Sequence, residues 1–525
     1  MDQNLPTLGE LIKFAYETAG VLPRKRVHSD HFSESKKKVI QKKLERLSKE
    51  EGNLTETTND LISNLAYLVT GAIRDPSFNL AIGECLLDLH DLYKNMLRNK
   101  LVFHDKDQSI WMFCRMYVVP NLAVSIQKYS VFFQFSSKEI SVPTELNWFL
   151  PTVDSGKPVW PITKVMRWIY ESLGLNLAEF HAPDRNSQNC KAEQKQNLEN
   201  ASAWFGDKRV PSWSALYWNF SSALAELKKN SSGDHKQAFS VALEQNFYAA
   251  LFIARASTFV GKQIEKKYGQ PALMQLIVQF SSYSHIIETD WQIFKELTKS
   301  WAERTDDSCH DPELDWPSLY NYFVSRIEKS ADELDVVIRN PLFPNYHIEC
   351  SKVEHEELSS RYGEFATRLV FDRLNIQREV AVSELLDLRL SQGLELLKLS
   401  CDLTEQQIDR FLLCIEEDDL LSELTWLERW IRAVYYYRRG DYQVAFAYID
   451  TAFHTAKYRA GKAHYELVNF YVELAAKTNR WKDFKKGVNW SMYLDIPVRW
   501  LRDQEPTETN LRSVFEILKV AVYDR

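Results

Sequence analysis

Residues 197–224, NLENASAWFGDKRVPSWSALYWNFSSAL, carry the clearest local pattern in this chain. A polar-to-aromatic segment predicts a short helix, and Gly206–Arg209 predicts a turn after it. Pro211 and Ser212 then predict the start of a second helix, because Pro and Ser are favoured at helix N-termini. The stretch therefore predicts two helices joined by a glycine-centred turn.

Helix breakers are scarce over the whole chain, with 16 Gly and 17 Pro in 525 residues. Together with many Leu, Ala, Glu and Lys residues, this scarcity predicts long helices. The 15 Trp residues predict wide helix–helix interfaces filled by large rings. A chain of this length is too long for one ordinary core, so we expect several helical parts and an all-α fold class.

The formal net charge of −7 gives the chain no global attraction to nucleic acid or to an acidic membrane, so any such binding has to be local. The N-terminus lacks a cleavable signal, and no apolar run approaches the roughly 20 residues that a membrane span needs. Seven Cys residues without a CxxC pair are typical of reduced intracellular thiols. These features predict a cytoplasmic protein without membrane contact.

Breaker-rich and polar stretches divide the chain into predicted parts. Residues 138–161 contain four Pro and one Gly among few helix formers, so they predict an irregular linker. The predicted parts are an N-terminal helical domain at 1–137, this linker, a helical module at 162–228, a helical domain at 237–345 and helical repeats at 346–525.

Residues 197–224 resemble the second half of an XRE-type helix-turn-helix domain. That family has a recognition helix ending in Trp, a turn of the form Gly-x-Lys/Arg-x-Pro and a following helix of the form Ser-x-x-x-Leu. Residues 162–174 would supply the first helix of the domain. The matching positions are Trp204, Gly206, Lys208, Arg209, Pro211, Ser212, Leu216 and Leu224.

The resemblance implies a set of residues that would face DNA. Asn and Gln can pair with adenine through two hydrogen bonds, and Lys or Arg supplies a salt-dependent attraction. Domains of this kind also serve as packing or dimer modules, so contact with a protein is the alternative. The implied residues are Lys195, Gln196, Asn197 and Asn200 toward the major groove, and Lys208 and Arg209 toward phosphates.

A second resemblance lies at residues 98–104, RNKLVFH, which are similar to the signature of HEPN ribonucleases. It implies that Arg98 stabilises the scissile phosphate and that His104 acts on the attacking or leaving oxygen, with Glu84 or Asp88 as a polar partner. Six residues span about 240° on an ideal helix, so the two side chains share a face only if the helix ends between them. The alternative is a surface Arg and a helix-terminal His.

The C-terminal third carries a third resemblance, to tetratricopeptide repeats. It implies helical hairpins that stack into a concave surface for a protein or peptide partner, and a plain helical bundle is the alternative. A weaker copy has its turn at residues 479–481, and residues 380–420 hold a more degenerate helical pair. The matching positions of the first copy are Ala433, Tyr436, Gly440, Asp441, Tyr442, Ala445, Ile449 and Ala452.

Basic residues crowd the segment 24–49, which predicts either a phosphate contact or the solvated face of a helix. An apolar stripe of Val39, Ile40, Leu44 and Leu47 lies opposite and favours the solvated face. The cations are Arg24, Lys25, Arg26, Lys36, Lys37, Lys38, Lys42, Lys43, Arg46 and Lys49.

Sequence patterns of known enzyme machinery are missing from the chain: it has no nucleotide-binding glycine loop and no HExxH or GxSxG motif. The residues Cys309, His310, His347, Cys350 and His355 lack an established zinc spacing, so no metal or other cofactor is expected. The sequence favours a protein without enzymatic activity. If it is an enzyme, we expect a metal-independent ribonuclease.

Three functions follow from these patterns. The first is a cytoplasmic regulatory or adaptor protein, with a helix-turn-helix-like module for DNA or protein contact and C-terminal repeats that bind a protein or peptide. The second is a HEPN-like ribonuclease of a toxin or phage-defence system. The third is a purely structural subunit of a protein complex. An oligomeric state is compatible with each of them.

Overall fold

A computed structural model shows that the protein is all-α, which confirms the predicted fold class. The residues that the structure describes are 4–21, 34–73, 76–136, 147–183, 192–230, 241–305, 316–339, 352–379, 383–398, 402–501 and 505–521.

The N-terminal half holds helices of very different length and one short hairpin. Its first elements are α1 (Leu8–Ala19), α2 (Glu34–Ser48), α3 (Leu54–Ile73), α4 (Pro76–Asn99), α5 (Lys106–Phe113), a π-helical turn (Cys114–Val118) and α6 (Val119–Ser136). They are followed by β1 (Thr152–Asp154), β2 (Lys157–Val159), α7 (Pro161–Ser172), α8 (Leu177–His181), α9 (Ala192–Phe205) and α10 (Trp213–Asn230).

The C-terminal half begins with long helices and ends with shorter helical pairs. The long-helix part is α11 (Val241–Tyr268), α12 (Gln270–Thr305), α13 (Trp316–Arg339), α14 (Lys352–Tyr362) and α15 (Glu364–Glu379). The remaining helices are α16 (Glu384–Leu396), α17 (Glu405–Glu417), α18 (Leu421–Arg438), α19 (Tyr442–Ala456), a 3-10 turn (Gly461–Ala463), α20 (His464–Lys477), α21 (Trp481–Tyr493) and α22 (Glu508–Val520).

The predicted irregular linker at 138–161 differs from the structure in its second half. Strands β1 and β2 pair antiparallel there, with Thr152 opposite Val159 and Asp154 opposite Lys157. The turn between them places Ser155 and Gly156 at positive φ, 50° and 79°. Two successive residues at positive φ match the twist of a two-residue hairpin, so this turn favours strand pairing over irregular chain.

Buried apolar side chains form two cores. The first is built by α1–α4, α7–α11 and α16–α22, so it joins the N-terminal helices, the central module and the C-terminal pairs. The second is built by α6 and α12–α15. It crosses the predicted division between 237–345 and 346–525, because α13 on one side and α14 and α15 on the other share its buried side chains.

Candidate functional site

Helices α7–α10 enclose an aromatic cluster. Tyr170, Phe180, His181 and Phe220 are all buried, and the His181 ring lies 4.7 Å from Phe180 and 5.1 Å from Phe220 between centroids. The Tyr170 hydroxyl and His181 Nε2 are hydrogen-bonded at 2.8 Å. Burial lowers the pKa of His181 to about 3, so the imidazole is neutral near pH 7 and serves as a core residue.

Helix α9 presents one face to this core and the other to solvent. Gln194, Ala201 and Trp204 are buried, with exposed fractions of 5%, 0% and 2%. Lys195 and Gln196 are exposed. Ala201 and Trp204 follow Gln194 by seven and ten residues, which is about two and three helical turns, so these three side chains share one face of α9. Lys195 and Gln196 lie on other faces of the helix. The proposed reading residues at the start of α9 are therefore accessible to a partner.

Asn197 and Asn200 are only half-buried, and both take part in contacts within the module. The Asn219 side-chain amide donates to the Asn197 main-chain carbonyl at 2.9 Å. The Arg209 guanidinium donates to the side-chain oxygen of Asn200. Asn200 and Arg209 therefore form a pair, and either side chain would have to leave the other to use all its hydrogen bonds on a ligand.

The turn after α9 is fixed from both sides. Thr163 of α7 donates to the Phe205 carbonyl at 3.1 Å, and the Trp160 indole donates to the Asp207 carboxylate at 2.9 Å. Asp207 has a φ of 63°, and its carboxylate also pairs with Lys262 of α11. Because its backbone is anchored to two helices, the turn holds its following residues in a defined direction.

Exposed charges of both signs surround α9 and its turn. On α9, the cation Lys195 and the anions Glu193 and Glu199 are exposed. In the turn that follows, the cations Lys208 and Arg209 are exposed. The surface is therefore close to neutral overall, with the two cations of the turn at one end. Such a surface can make a few phosphate contacts beside polar base or protein contacts.

A buried arginine connects this turn to the first helix of the chain. Arg255 of α11 is 4% exposed, and its Nε donates to the Pro211 carbonyl at 2.9 Å. Its Nη1 donates to the Glu17 carbonyl at 2.8 Å and to the Thr18 carbonyl. These two carbonyls belong to the last turn of α1, where the Glu17 carbonyl also accepts from the Gly20 amide at 3.0 Å. Gly20 is required beside them, because a Cβ there would lie 2.6 Å from the guanidinium carbon.

The two residues of the HEPN-like motif stand on opposite sides of a helix end. Arg98 is exposed in the last turn of α4, which ends at Asn99, and His104 is half-buried beyond it. The segment between them is tied to the C-terminal helices, since the Val102 amide donates to the Arg459 carbonyl at 3.1 Å. Among the described residues, no hydrogen bond or ion pair joins the Arg98 and His104 side chains. Their catalytic roles stay a prediction.

The suggested polar partners of that motif do not lie near Arg98. Glu84 and Asp88 precede Arg98 by 14 and 10 residues in the continuous helix α4. At about 1.5 Å per residue they lie roughly 21 and 15 Å away along the axis. Glu84 instead pairs with Lys128 of α6, and burial together with neighbouring carboxylates raises the pKa of Asp88. The expectation that one of them assists Arg98 is wrong for this reason.

The C-terminal helices form antiparallel hairpins where the repeat resemblance predicts them. Helices α18 and α19 are joined by a turn with Gly440 at a φ of 77°, and α20 and α21 by a turn with Asn479 at 60°. Ala433, Ala445 and Ala452 are fully buried, which lets α18 and α19 approach closely. Helices α16 and α17 lie in the segment 380–420, where the resemblance implies a more degenerate pair of the same kind. Membership in the tetratricopeptide family stays a prediction.

Arginine and tyrosine side chains form a partly buried patch on α18 and the adjoining α19. The Tyr436 and Tyr448 rings stack at 5.6 Å, and the Arg429 guanidinium lies 5.4 Å from the Tyr448 centroid. Arg439 is exposed and lies 4.4 Å from the Tyr435 ring. Tyrosine and arginine are the residues most enriched at protein interfaces, so this face is suited to a protein or peptide partner.

A buried ion pair docks the C-terminal helices on the N-terminal ones. The Lys457 ammonium and the Tyr458 hydroxyl both donate to the Glu50 carboxylate. The Lys457 and Glu50 side chains are 7% and 9% exposed. Burial lowers the pKa of Lys457, although the Glu50 charge opposes the shift. No sequence pattern predicts this contact, because a lone Lys and a lone Glu predict solvated positions.

Metal binding finds no support among the described residues, where no group of three or more His, Cys, Asp or Glu side chains could hold an ion. Cys309, His310, His347 and Cys350 lie outside the described residues. His355 is described, and its Nδ1 lies 3.4 Å from the Ser359 hydroxyl within α14.

One helical stretch, Lys106–Lys128, is long and apolar enough to cross a membrane by length and composition alone, with a mean hydropathy of 1.3. The sequence contains Arg115 and Pro120 within this stretch. The stretch packs on α4 and α12, and Arg115 pairs with Glu379 of α15. Core helices of soluble proteins pass the same test, so the absence of a membrane span stays a prediction.

Comparisons of the chain with protein-family models, with curated proteins and with solved structures found no match.

Proposed function

We propose that the protein is a cytoplasmic regulatory or adaptor protein whose α7–α10 module contacts DNA. The observation that supports this best is the division of α9 into two faces. Its buried face, at Gln194, Ala201 and Trp204, packs on the module, and its opposite face leaves Lys195 and Gln196 in solvent. A reading helix needs this arrangement, because only an exposed face can enter the major groove.

The chemistry of the exposed residues divides into two roles. Gln196 can pair with adenine, and Asn197 can add a contact through its half-exposed amide. Lys195, Lys208 and Arg209 supply phosphate contacts, which set register and affinity without reading sequence. Three such cations contribute about −2.7 to the slope of the logarithm of affinity against the logarithm of salt concentration, at about −0.9 per contact.

The C-terminal hairpins supply the second half of the proposed function. On α18 and α19, the half-buried Tyr436 and Tyr448 rings stack beside Arg429, a composition that favours a protein or peptide partner over solvent alone. A protein that joins DNA to such a partner would act as a regulator or adaptor. A structural subunit without DNA contact is the competing function.

Fluorescence anisotropy with labelled genomic fragments tests the DNA half. The variants are Lys195→Ala and Lys208→Ala, because Arg209 also holds Asn200 and its loss would disturb the module. The matched control is Lys352→Ala on α14, a lysine that is equally exposed and far along the chain. Each module variant should weaken binding and reduce the salt slope by about 0.9, whereas the control should not.

Two results would contradict the proposal. Unchanged binding in both module variants would show that α9 and its turn do not face DNA. A wild-type chain that retains no DNA at low salt but purifies with a stoichiometric protein would favour the structural subunit.

A further inference from the structure

Helix α2 carries an exposed row of cations on the side opposite its buried residues. Lys38, Lys42 and Arg46 follow one another at intervals of four residues, and all are exposed. Ile40 and Leu47, which are 6% and 0% exposed, lie about half a helical turn away and pack on the first core. Of the apolar stripe expected in this segment, Ile40 and Leu47 are thus buried and Leu44 is half-buried, whereas Val39 is exposed beside the cations.

Three of the four cations of this row have no carboxylate partner among the described residues. Among the described residues, Lys38, Lys42 and Arg46 form no ion pair, and Lys49 at the end of the row pairs with Glu45 at 2.8 Å. Like charges four residues apart destabilise a helix by about 0.2–0.5 kcal/mol per pair. A bound polyanion would remove this repulsion.

Three cations on other helices show the contrast, since each is exposed and has a carboxylate one turn away. The pairs are Lys329 with Glu333 at 3.8 Å, Lys352 with Glu356 at 3.9 Å and Arg512 with Glu508 at 3.4 Å. The protein as a whole is acidic, with a net charge of −7. Within the described part of the chain, Lys38, Lys42 and Arg46 therefore place three cations without an ion pair on one exposed side of α2.

The spacing of the row suits a chain of phosphates. Four residues of helix advance by about 6 Å, and the row extends over about 16 Å from residue 38 to residue 49. Successive cations therefore stand at a repeat close to the distance between neighbouring phosphates on one nucleic-acid strand. Lys and Arg at such positions neutralise phosphates and release counterions, which is the sequence-independent part of nucleic-acid binding.

Helix α1 attaches this row firmly to the helix-turn-helix-like module. Near the start of α1, Gly9 packs so closely on the backbone of Ser48, at the end of α2, that a Cβ at Gly9 would lie 2.6 Å from the Ser48 Cα. At its other end, the Gly20 carbonyl accepts a hydrogen bond from the Trp213 amide at 3.0 Å. The row and the module thus share one helix of 12 residues, about 18 Å long.

We propose that Lys38, Lys42, Arg46 and Lys49 form a phosphate-binding row that contacts a nucleic-acid backbone beside the module. This inference rests on the proposed function and extends it with a second, sequence-independent contact. An acidic membrane is a worse fit. The apolar face of α2 is buried in the protein, so Val39 is the exposed apolar side chain left near the row for insertion into lipid.

The test is a triple variant, Lys38→Gln, Lys42→Gln and Arg46→Gln, in the full-length chain. The matched control removes the same charge from paired positions with Lys329→Gln, Lys352→Gln and Arg512→Gln. Binding to a fluorescein-labelled DNA duplex of mixed sequence is followed by anisotropy at several salt concentrations. A thermal unfolding profile measured by circular dichroism checks that each variant keeps its helices.

In the triple variant, the slope of the logarithm of affinity against the logarithm of salt concentration should become less steep by about 2.7, at about 0.9 for each of three contacts. Between about 50 and 200 mM salt, the affinity of the wild type should then fall about 40-fold more than that of the triple variant. The control should keep the wild-type slope. A triple variant that binds with the wild-type slope would overturn the inference.

Failure of the row and failure of the module give different results. If Lys195→Ala and Lys208→Ala weaken DNA binding but the triple variant does not, the proposed function stands and the row is refuted. If only the triple variant weakens binding, the row stands and the module does not face DNA. Sedimentation with phosphatidylserine vesicles is the last arm. Row-dependent binding to vesicles without binding to the duplex would overturn the nucleic-acid assignment.

Discussion

Arg255 offers the sharpest test of how the candidate site is held. Its guanidinium is buried and donates to three main-chain carbonyls, one at Pro211 and two at Glu17 and Thr18. It also lies 5.2 Å from the Phe259 ring. We predict that Arg255→Met will separate the end of α1 from the turn that carries the exposed cations.

The magnitude follows from the groups that the variant leaves behind. Methionine fills part of the space but donates no hydrogen bond, so the carbonyls of Pro211, Glu17 and Thr18 lose a charged partner in a buried place. A buried acceptor that loses its donor costs about 1–3 kcal/mol, so the three carbonyls together should cost about 3–5 kcal/mol. Arg255→Lys keeps the charge and one or two of the bonds, so it should cost less, about 1–3 kcal/mol.

Amide hydrogen exchange is the suitable assay, because a chain with two cores need not unfold in one step. Peptides that cover residues 8–21 and 206–217 report on the two elements that Arg255 joins. If local opening becomes easier by about 3–5 kcal/mol, their exchange should accelerate by about 100-fold or more. Peptides of the second core, such as those of α13, should keep their wild-type rates.

Arg368→Met is the matched control. Its guanidinium is half-exposed and pairs with Asp372 one turn away at 3.0 Å, so its loss should leave all of these peptides within about 0.5 kcal/mol of wild type. The reasoning would be refuted if Arg255→Met left the peptides at 8–21 and 206–217 protected as in the wild type. That result would mean that apolar packing alone holds the turn against α1.

Two further predictions concern buried side chains that can carry a charge. Lys457→Met should destabilise the contact between the N-terminal and C-terminal helices by about 3–5 kcal/mol, because it leaves the Glu50 carboxylate buried without its cation. The thermal midpoint of unfolding measures this loss, and a double variant that adds Glu50→Gln should regain part of it. Equal midpoints of the wild type and the single variant would contradict the prediction. Burial holds the pKa of His181 at about 3 and that of His464 at about 4, below the usual 6.5. The unfolded chain therefore takes up protons first as the pH falls, and stability present above pH 6.5 should be lost toward pH 4, by about 3 kcal/mol for each histidine at 1.36 kcal/mol per pH unit. The thermal midpoint of His181→Gln should fall less steeply over this pH range than that of the wild type, and parallel curves would refute the assignment.

The local features of the candidate site could be predicted from the sequence because they depend on neighbouring residues. Helix α9 ends at Phe205, one residue before the predicted turn. Helix α10 begins at Trp213, after the Ser212 hydroxyl accepts a hydrogen bond from the Ala215 amide at 3.3 Å. A glycine-centred turn and a serine cap act over three or four residues, and the printed sequence shows both.

The contacts that fix the site could not be predicted in this way. Arg255 is separated by more than 230 positions from the α1 carbonyls that it holds, and Lys457 by 407 from Glu50. In a single sequence each of these charged residues predicts a solvated position, because charged side chains are seldom buried without a partner. Only the fold brings the partner close, so burial and pairing become visible together.

The same long-range contacts decide how the two halves of the proposed function are related. The central module and the C-terminal hairpins contribute side chains to one core, and the Lys457–Glu50 pair and the Val102–Arg459 hydrogen bond add polar contacts across it. A module on a flexible linker could turn freely toward its DNA, whereas this module is held by α1, α7 and α11. The exposed face of α9 and the tyrosine–arginine face of α18 therefore keep a fixed relative direction. A partner bound at α18 would therefore keep one direction relative to any ligand of α9.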